Sequence, residues 1–215
     1  MSDIIDDLHA MREHYDQSPL RRSDLDSCPF AQFSKWLGDA VAAKIYDPNA
    51  CSLSTVDPHG RPVSRAVLLK ALEDQQFIFY SNYNSRKASH LEQNPNACIH
   101  FPWFALQRQV IVTGIVEKIE SSQAEEYFAS RPLESRLGAW ASKQSQDIDS
   151  RESLEKAYLH AKEKFGDNPP KPPHWGGYSL QPDSIEFWQG GPSRLHDRFL
   201  FELSADIWTI RRLNP

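Results

Sequence analysis

A succession of short, strand-like runs joined by tight turns is the feature that most constrains the fold of this 215-residue chain. Turn sequences such as Asp57-Pro-His-Gly60 separate the runs, and short strands connected in this way form an antiparallel meander. So many strands leave exposed edges unless the sheet closes, which favours a small barrel. The predicted strands are Cys51–Val56, Arg61–Leu72, Phe77–Ser81, Ala97–Trp103, Gln107–Ile119, Tyr178–Leu180, Ser184–Gln189, Arg194–Phe201 and Ile207–Arg211.

Helices are predicted where apolar residues recur every three or four positions between start and stop signals. Ser122-Gln-Ala-Glu125 has the capping-box pattern, and Pro132 ends the helix that it opens. The predicted helices are a first through Phe30, Phe33, Leu37 and Val41, a second at Arg86–Gln93, a third after Ser122 and a fourth at Arg151–Phe165. The fold class is therefore mainly β with α (α+β), an antiparallel β-barrel with peripheral helices.

Composition along the chain predicts one domain preceded by an arm. Residues 1–25 carry many charges and few large apolar side chains, which is typical of a mobile N-terminal arm. The only strong shift in composition after that is a proline-rich stretch at 167–174, which indicates a stiff internal connection. Residues 26–215 are predicted to form a single domain.

Charge and motif content exclude several classes of protein. A net charge of -5 and a pI near 5.9 argue against a general nucleic-acid binder. The chain has no apolar run of membrane-spanning length and an acidic N-terminus unlike a signal peptide, so we expect a cytoplasmic protein. Three scattered cysteines indicate neither a disulfide framework nor a zinc site. The usual motifs of triphosphate, Rossmann, metalloprotease and serine-hydrolase sites are missing.

A cationic helix start at 80–88 suits a phosphate. Ser85 is a candidate N-cap, and Arg86 and Lys87 lie in the first turn, where free backbone N–H groups also point outward. The helix dipole disfavours cations at that end unless an anion is bound. The alternative is a poorly optimised surface helix.

Two further pairs of residues add basic or hydrogen-bonding groups. Arg65 and Lys70 lie in a strand whose apolar run implies burial on both faces, and their spacing points them to opposite faces. Tyr127 and Arg131 are one helical turn apart. The alternative for Arg65 and Lys70 is that both simply reach solvent at the strand ends. The alternative for Tyr127 and Arg131 is an ordinary surface contact. Several local basic clusters in an acidic protein suggest that it binds two phosphorylated small molecules, a nucleotide cofactor and a substrate.

The stretch Ile185-Glu-Phe-Trp-Gln-Gly-Gly-Pro-Ser-Arg-Leu-His-Asp-Arg198 combines a tight turn with cationic side chains. If it forms a hairpin, period-2 geometry places Arg194, His196 and Arg198 on one face of the outgoing strand. Taken alone, the charges are better explained as protection of an edge strand than as part of a site.

These motifs together resemble the pyridoxamine 5'-phosphate oxidase family. The 185–198 stretch matches the family's C-terminal signature at every position. RAVLLK at 65–70, YSNYNSRKA at 80–88, FPWFALQRQV at 101–110, RPLESRLGAWASKQS at 131–145 and HWGG at 174–177 extend the match over residues 20–215. The resemblance implies an FMN-binding split β-barrel that forms a homodimer, with two FMN sites at the subunit interface.

The resemblance also implies residue roles. FMN would be held by Arg65, Ala66, Val67, Leu68, Leu69, Lys70, Tyr80, Ser81, Arg86, Lys87 and Gln109 of one subunit, with Gln144, Ser145, Trp188 and Arg198 of the other. The substrate phosphate would be bound by Lys70, Tyr127, Arg131 and Ser135. Arg194 and His196 would lie over the substrate ring as catalytic residues. In the N-terminal arm, Arg12 and Tyr15 keep the family's types and spacing for a segment that folds over the substrate.

The implied reaction oxidises pyridoxamine or pyridoxine 5'-phosphate to pyridoxal 5'-phosphate, with O2 as electron acceptor and H2O2 as product. Arg194 would position the substrate and His196 would help to orient it. Two alternatives stay open: another split-barrel flavoprotein with a different substrate, and a non-catalytic protein that binds pyridoxal 5'-phosphate. The phosphate-binding residues argue against the first, and a yellow flavin spectrum would argue against the second.

Overall fold

The computed structural model describes residues 14–215, so Arg12 lies outside the described residues. Within that range no helix is long and apolar enough to cross a membrane. The helices are α1 (Pro29–Ala42), α2 (Arg86–Gln93), α3 (Ser121–Ser130), α4 (Leu133–Ala141) and α5 (Arg151–Phe165). The strands are β1 (Ala50–Val56), β2 (Pro62–Glu73), β3 (Gln76–Asn82), β4 (Asn96–Trp103), β5 (Arg108–Lys118), β6 (Trp175–Gln189), β7 (Asp197–Ser204) and β8 (Ile207–Leu213).

The strands confirm the predicted antiparallel barrel. Their hydrogen-bonded order is β3-β2-β1-β4-β5-β6-β7-β8, and β3 also pairs with β6. In that antiparallel pairing Phe77 lies opposite Leu180 and Asn82 lies opposite Trp175. The β3–β6 pairing closes six strands into a ring and removes their free edges.

The chain divides into two compact units. One comprises the described part of residues 1–48 with 102–111 and 185–215, and the other comprises 49–101 with 112–184. We call them the terminal unit and the central unit. The assignment of residues 26–215 to a single domain stays a prediction.

Each unit has an aromatic core of its own. In the terminal unit the Trp36 and Phe187 rings meet edge to face at 5.2 Å, and Phe187 packs in the same way against Phe201 at 5.4 Å. The central unit buries Phe77 and Phe79 of β3 completely. Aromatic groups of this size contribute most of the apolar burial that stabilises a core.

Four sequence-based expectations are wrong. The run at 178–189 is one continuous strand, β6, and not two. Pro192–Arg194 forms a 3₁₀ turn, and β7 begins only at Asp197, so period-2 alternation does not place Arg194 and His196 on a common face with Arg198. Ser122 lies inside α3, whose N-cap is Glu120, so no capping box forms there. A hydrophobic run in the sequence does not show that a turn with positive φ precedes the strand, so it does not locate the first residue of that strand.

The fourth wrong expectation is the burial of β2 on both faces. Its residues are exposed or half-buried except for Leu69, and Leu68 is 40% exposed. The pairing with β3 shifts register between Leu69 and Ala71, so Lys70 is the bulged residue and is exposed. Burial in the core of a single chain therefore does not explain the apolar residues of β2.

Candidate active site

A polar pocket of about 320 Å³ lies in the central unit. Its walls come from β2, β3, the first turn of α2, α4 and the start of β6. We call it the polar pocket. It is lined by Ala66, Val67, Tyr80, Ser81, Asn82, Lys87, Arg131, Ser135, Gly138, Ala139, Ser142, Gln144 and Trp175.

Lys87 presents a buried ammonium group at the start of α2. Its Nζ donates to Ser81 Oγ at 2.9 Å, to Ser85 Oγ at 3.1 Å and to Gln144 Oε1 at 2.7 Å. Burial, followed by the charge of Arg65, lowers the Lys87 pKa to about 8. All three partners are neutral, so the site has a net positive charge that suits an anion.

Two arginines, Arg65 and Arg86, extend this positive charge, and with Lys87 they form what we call the cation cluster. Burial and then the charge of Arg86 lower the Arg65 pKa. Among residues 14–215, no carboxylate lies within ion-pair distance of any of the three. Lys87 is buried, Arg65 half-buried and Arg86 exposed, and neighbouring cations of this kind without a counter-charge suit an anion.

Arg131 supplies a further cation to the polar pocket. It follows α3 in extended conformation, and its guanidinium lies 4.7 Å above the Trp175 ring and 5.5 Å from the Phe128 ring. Its Nη1 is buried with no hydrogen-bond partner among the described residues. An orphaned guanidinium nitrogen is costly unless a ligand accepts from it. Ser135, in the first turn of α4, lines the same pocket.

Two aromatic rings, Tyr80 and Trp175, line the pocket next to these polar groups, and Tyr127 stacks on both. Tyr80 stacks on Tyr127 with centroids 3.9 Å apart and on Trp175 at 5.3 Å. A Cβ at Gly177 would collide with the Ile119 side chain and come within 3.0 Å of the Tyr80 ring, so a larger residue there would have to displace Ile119. Burial raises the pKa of Tyr80 to about 12, which keeps the phenol protonated.

The terminal unit holds a second group of the predicted residues. Trp188 and His196 have ring centroids 4.6 Å apart, and Tyr15 meets them edge to face at 5.8 Å and 5.2 Å. His196 Nδ1 accepts from the Gly191 N–H at 3.2 Å, which fixes the orientation of the imidazole ring. A Cβ at Gly190 would collide with the Tyr15 ring.

Gln107 fastens this part of the chain. Its side chain accepts from the Asp16 N–H at 3.1 Å and donates to Asp16 Oδ1 at 3.2 Å and to the His14 carbonyl at 3.4 Å, while its own carbonyl accepts from the Gly190 N–H at 2.7 Å. Gln107 therefore holds the residues on both sides of Tyr15. The expected role of Tyr15 in covering a substrate stays a prediction.

Arg198 and Arg194 differ in how firmly they are held. Arg198, on β7, makes a two-pronged ion pair with Glu186, from Nε at 2.8 Å and from Nη2 at 3.0 Å. Arg194 is exposed and, like Ser193 before it, has a positive φ. Consecutive left-handed residues other than glycine carry strain of a kind that concentrates at functional sites.

The predicted site residues thus fall into three groups. The polar pocket gathers Ala66, Val67, Tyr80, Ser81, Lys87, Arg131, Ser135 and Gln144, while Arg65, Arg86 and Tyr127 contact or influence its lining residues. The terminal unit gathers Tyr15, Trp188, His196 and, through the same turn and strand, Arg194 and Arg198. Leu68, Leu69, Lys70, Gln109 and Ser145 are not among the residues that line the pocket.

The sequence did not point to several residues that the structure places at or behind the site. Thr55 and His90 are buried and bonded to each other at 3.0 Å, and Trp175 supports Arg131. Gln107 fastens the segment that carries Tyr15. A buried histidine or threonine gives no periodic signal, because its role depends on a partner from another element.

Gln144 contacts Lys87 within the single chain, whereas the resemblance assigned it to the partner subunit. That assignment stays a prediction. The described contact nevertheless shows that the residue is close enough to the cation cluster to act on the same ligand.

Two family models cover most of the chain. The model described as Pyridoxamine 5'-phosphate oxidase matches residues 37–165, and the one described as Pyridoxine 5'-phosphate oxidase C-terminal dimerisation region matches residues 175–215. Among solved structures, PhzG from Burkholderia lata, in complex with tetrahydrophenazine-1-carboxylic acid, is similar with a TM-score of 0.88 and 28% identity over 94% of this chain and 100% of that chain.

Several relatives are more similar to this chain in sequence than PhzG is. Proteins named pyridoxine/pyridoxamine 5'-phosphate oxidase are 50% identical in Burkholderia lata, over 97% of this chain and 99% of the relative, and 49% identical in Ralstonia pickettii, over 95% and 97%. A pyridoxamine 5'-phosphate oxidase-related, FMN-binding protein of Nostoc punctiforme shares the fold, with a TM-score of 0.71 and 20% identity over 89% of this chain and 100% of that chain. The chain therefore belongs to the pyridoxamine 5'-phosphate oxidase family, a family of FMN-binding split-barrel oxidoreductases.

Proposed function

We propose that this protein oxidises pyridoxamine 5'-phosphate and pyridoxine 5'-phosphate to pyridoxal 5'-phosphate, using FMN, with O2 as electron acceptor and H2O2 as product. The observation that carries the proposal is the buried Nη1 of Arg131, which has no hydrogen-bond partner among residues 14–215 and lies in the same pocket as Lys87. One pocket with two separate cationic anchors fits two phosphate groups, one from a cofactor and one from a substrate.

The residues present fit FMN. Its phosphate would meet the cation cluster, where repulsion among Arg65, Arg86 and Lys87 is uncompensated, and the start of α2 adds backbone N–H groups. Gln144 and Ser81 offer hydrogen bonds beside it. When bound, FMN supplies the two-electron oxidation, which no side chain performs.

Substrate binding is assigned to the other groups of the pocket. Arg131 and Ser135 would bind the phosphate, with Tyr127 and Lys70 completing the set. The Tyr80 and Trp175 rings, supported by the stacked Tyr127 ring, offer an apolar surface for a planar ligand. Arg194 would position the substrate carbon that loses electrons, and His196, held by the Gly191 N–H, would orient the ring. Arg12 and Tyr15 are proposed to cover the bound substrate.

We infer a homodimer as the active form. The matched C-terminal region, 175–215, is described as a dimerisation region, and it contains Trp188, Arg194, His196 and Arg198. The exposed apolar residues of β2, including Leu68, are a second support, because such a strand is covered in an assembly more often than left in water.

The deciding experiment is an aerobic assay of FMN-loaded protein with each phosphorylated substrate, following aldehyde and peroxide together. We expect one peroxide for each aldehyde, and little turnover of pyridoxine or pyridoxamine without the phosphate. Absence of turnover with both phosphorylated substrates would refute the proposed function. Colourless protein that takes up no FMN would instead favour simple binding of pyridoxal 5'-phosphate.

A second candidate is oxidation of a phosphate-free ring compound. The similarity to PhzG, solved with tetrahydrophenazine-1-carboxylic acid, favours it. A single carboxylate would leave one of the two cationic anchors unused, which is the reason that we rank it second. The same assay with a reduced phenazine carboxylic acid decides between them: turnover faster than with pyridoxine 5'-phosphate would reverse the ranking.

The affinity for FMN should fall as pH rises through the Lys87 pKa. Because burial lowers that pKa to about 8, Lys87 is charged below this pH and neutral above it in the flavin-free protein. The phosphate of FMN is doubly charged above about pH 6, so only Lys87 changes in this window. We expect the FMN Kd to rise roughly tenfold between about pH 7 and about pH 9. Fluorescence titrations measure it, and a profile that stays flat would contradict the assignment.

Removal of the Arg194 guanidinium should slow turnover without loss of flavin. We expect Arg194→Ala to lower kcat by roughly 10²-fold, because the substrate loses a positioning group that acts during the reaction. The flavin absorbance per protein should stay at the wild-type value. Steady-state kinetics and absorbance spectra test both statements, and unchanged kinetics would reject the role.

A further inference from the structure

A buried chain of hydrogen bonds lies behind the cation cluster. Arg65 Nη1 donates to Thr55 Oγ1 at 2.7 Å and to the Leu53 carbonyl at 2.9 Å, and Thr55 Oγ1 lies 3.0 Å from His90 Nδ1. Thr55 is 1% exposed and His90 is 4% exposed. We call Arg65, Thr55 and His90 the buried relay.

The direction of the hydrogen bond between Arg65 and Thr55 follows from the donors available. Arginine has no acceptor, so Thr55 Oγ1 accepts from Arg65. The same oxygen keeps one hydrogen and a second lone pair, so the direction of its contact with His90 Nδ1 depends on the imidazole tautomer. Burial and then the charge of Arg65 lower the pKa of His90, which favours the neutral imidazole.

The relay matters because Arg65 is repelled by its neighbours. Arg86 and Lys87 share the cation cluster with it, so the guanidinium would move away from them unless it were fixed. Both of its hydrogen bonds leave from Nη1. Nε and Nη2 have no hydrogen-bond partner among residues 14–215 and stay available for a ligand, and a planar fork fixed in this way suits a phosphate.

We propose that Thr55 and His90 are positioning residues for the flavin phosphate, holding Arg65 in place against the repulsion of the cation cluster. The proposal rests on FMN binding as proposed above. Thr55 and His90 act through Arg65 and need not touch the cofactor. The effect of substituting either residue should therefore depend on whether the ligand carries a phosphate and on whether the other residue is present.

Thr55→Val removes the hydroxyl with little change in volume. We expect it to raise the FMN Kd about tenfold, the size expected when one hydrogen bond to a charged group is lost. The Kd for riboflavin, which has no phosphate, should stay within about twofold of wild type, since the relay acts only on the phosphate anchor. Thr55→Ser should restore FMN binding. Thr113→Val, which removes a hydroxyl bonded to Asp183 and Ser184, is the matched control and should change neither Kd.

A double-mutant cycle tests the coupling. His90→Phe alone should weaken FMN binding, whereas in the Thr55→Val background it should have no further effect, because the hydroxyl that it acts through is gone. His90→Phe also carries the test if Thr55→Val does not fold. Additive effects, equal losses of FMN and riboflavin affinity, or an unchanged FMN Kd in folded Thr55→Val would contradict the positioning role of Thr55 and His90. None of these results would contradict the proposed function. Failure of the wild-type protein to bind FMN would instead overturn the proposed function.

Discussion

Arg131→Ala is expected to raise the KM for pyridoxine 5'-phosphate by about 10²- to 10³-fold, since an arginine–phosphate contact provides two charge-assisted hydrogen bonds. The FMN Kd should change less than about twofold, because the flavin phosphate is assigned to the cation cluster and not to Arg131. The buried Nη1 of Arg131 has no partner among the described residues, so its removal leaves no protein group unsatisfied. Folding should therefore be little affected.

Steady-state kinetics and FMN titrations of the same preparation measure the two effects separately. Arg151→Ala is the charge-matched control, because Arg151 lies on an exposed helix face, where it pairs with Glu155 at 3.0 Å. Pyridoxine without phosphate should be oxidised equally poorly by wild type and Arg131→Ala. Equal losses of substrate and FMN affinity would show that Arg131 serves both ligands or only the fold.

Lys87→Met is expected to raise the FMN Kd by about 10²-fold, the effect of losing a charge-assisted contact in a buried site. Methionine fills a similar space without the charge, so the loss should come from electrostatics. The pH dependence of FMN binding above about pH 8 should also disappear, since Lys87 is the group that titrates there.

Lys118→Met is the control for Lys87. Lys118 is exposed, and its ammonium lies 4.7 Å from the Tyr83 ring, so the substitution removes the same charge away from the polar pocket. It should leave the FMN Kd unchanged. Fluorescence titrations across the pH range give both measurements, and the Lys87 assignment is wrong if Lys87→Met binds FMN as tightly as the control.

Strand and helix positions could be predicted well where periodicity and turn signals agreed. Helix Arg86–Gln93 has the predicted bounds, and the predicted meander of strands closes as expected. The errors lie where local geometry overrides pattern. Positive φ at Ser193 and Arg194 holds the chain in a 3₁₀ turn, and the bulge at Lys70 interrupts alternation in β2.

The candidate site was predictable in parts. Cations in the first turn of a helix conflict with its dipole, and this local conflict is readable in the sequence at Arg86 and Lys87. The convergence of Arg131 with Lys87 in one pocket depends on tertiary packing, so no spacing in the sequence encodes it. Thr55 and His90 belong to different elements, and their link to Arg65 appears only when the strand and the helix are packed together.

If FMN binds as proposed, the cation cluster also links the lifetime of the protein to the supply of vitamin B2. Lys87 is buried and Arg65 half-buried, and neither has a carboxylate partner among residues 14–215, which weakens the flavin-free fold. A phosphate that offsets their repulsion would stabilise only the folded form. At a free FMN concentration a thousand times the Kd, this linkage amounts to about 4 kcal/mol. Cells short of riboflavin would then hold a larger unfolded fraction of this protein, which proteases remove. The abundance of the enzyme, and not only its activity, would follow the availability of its cofactor.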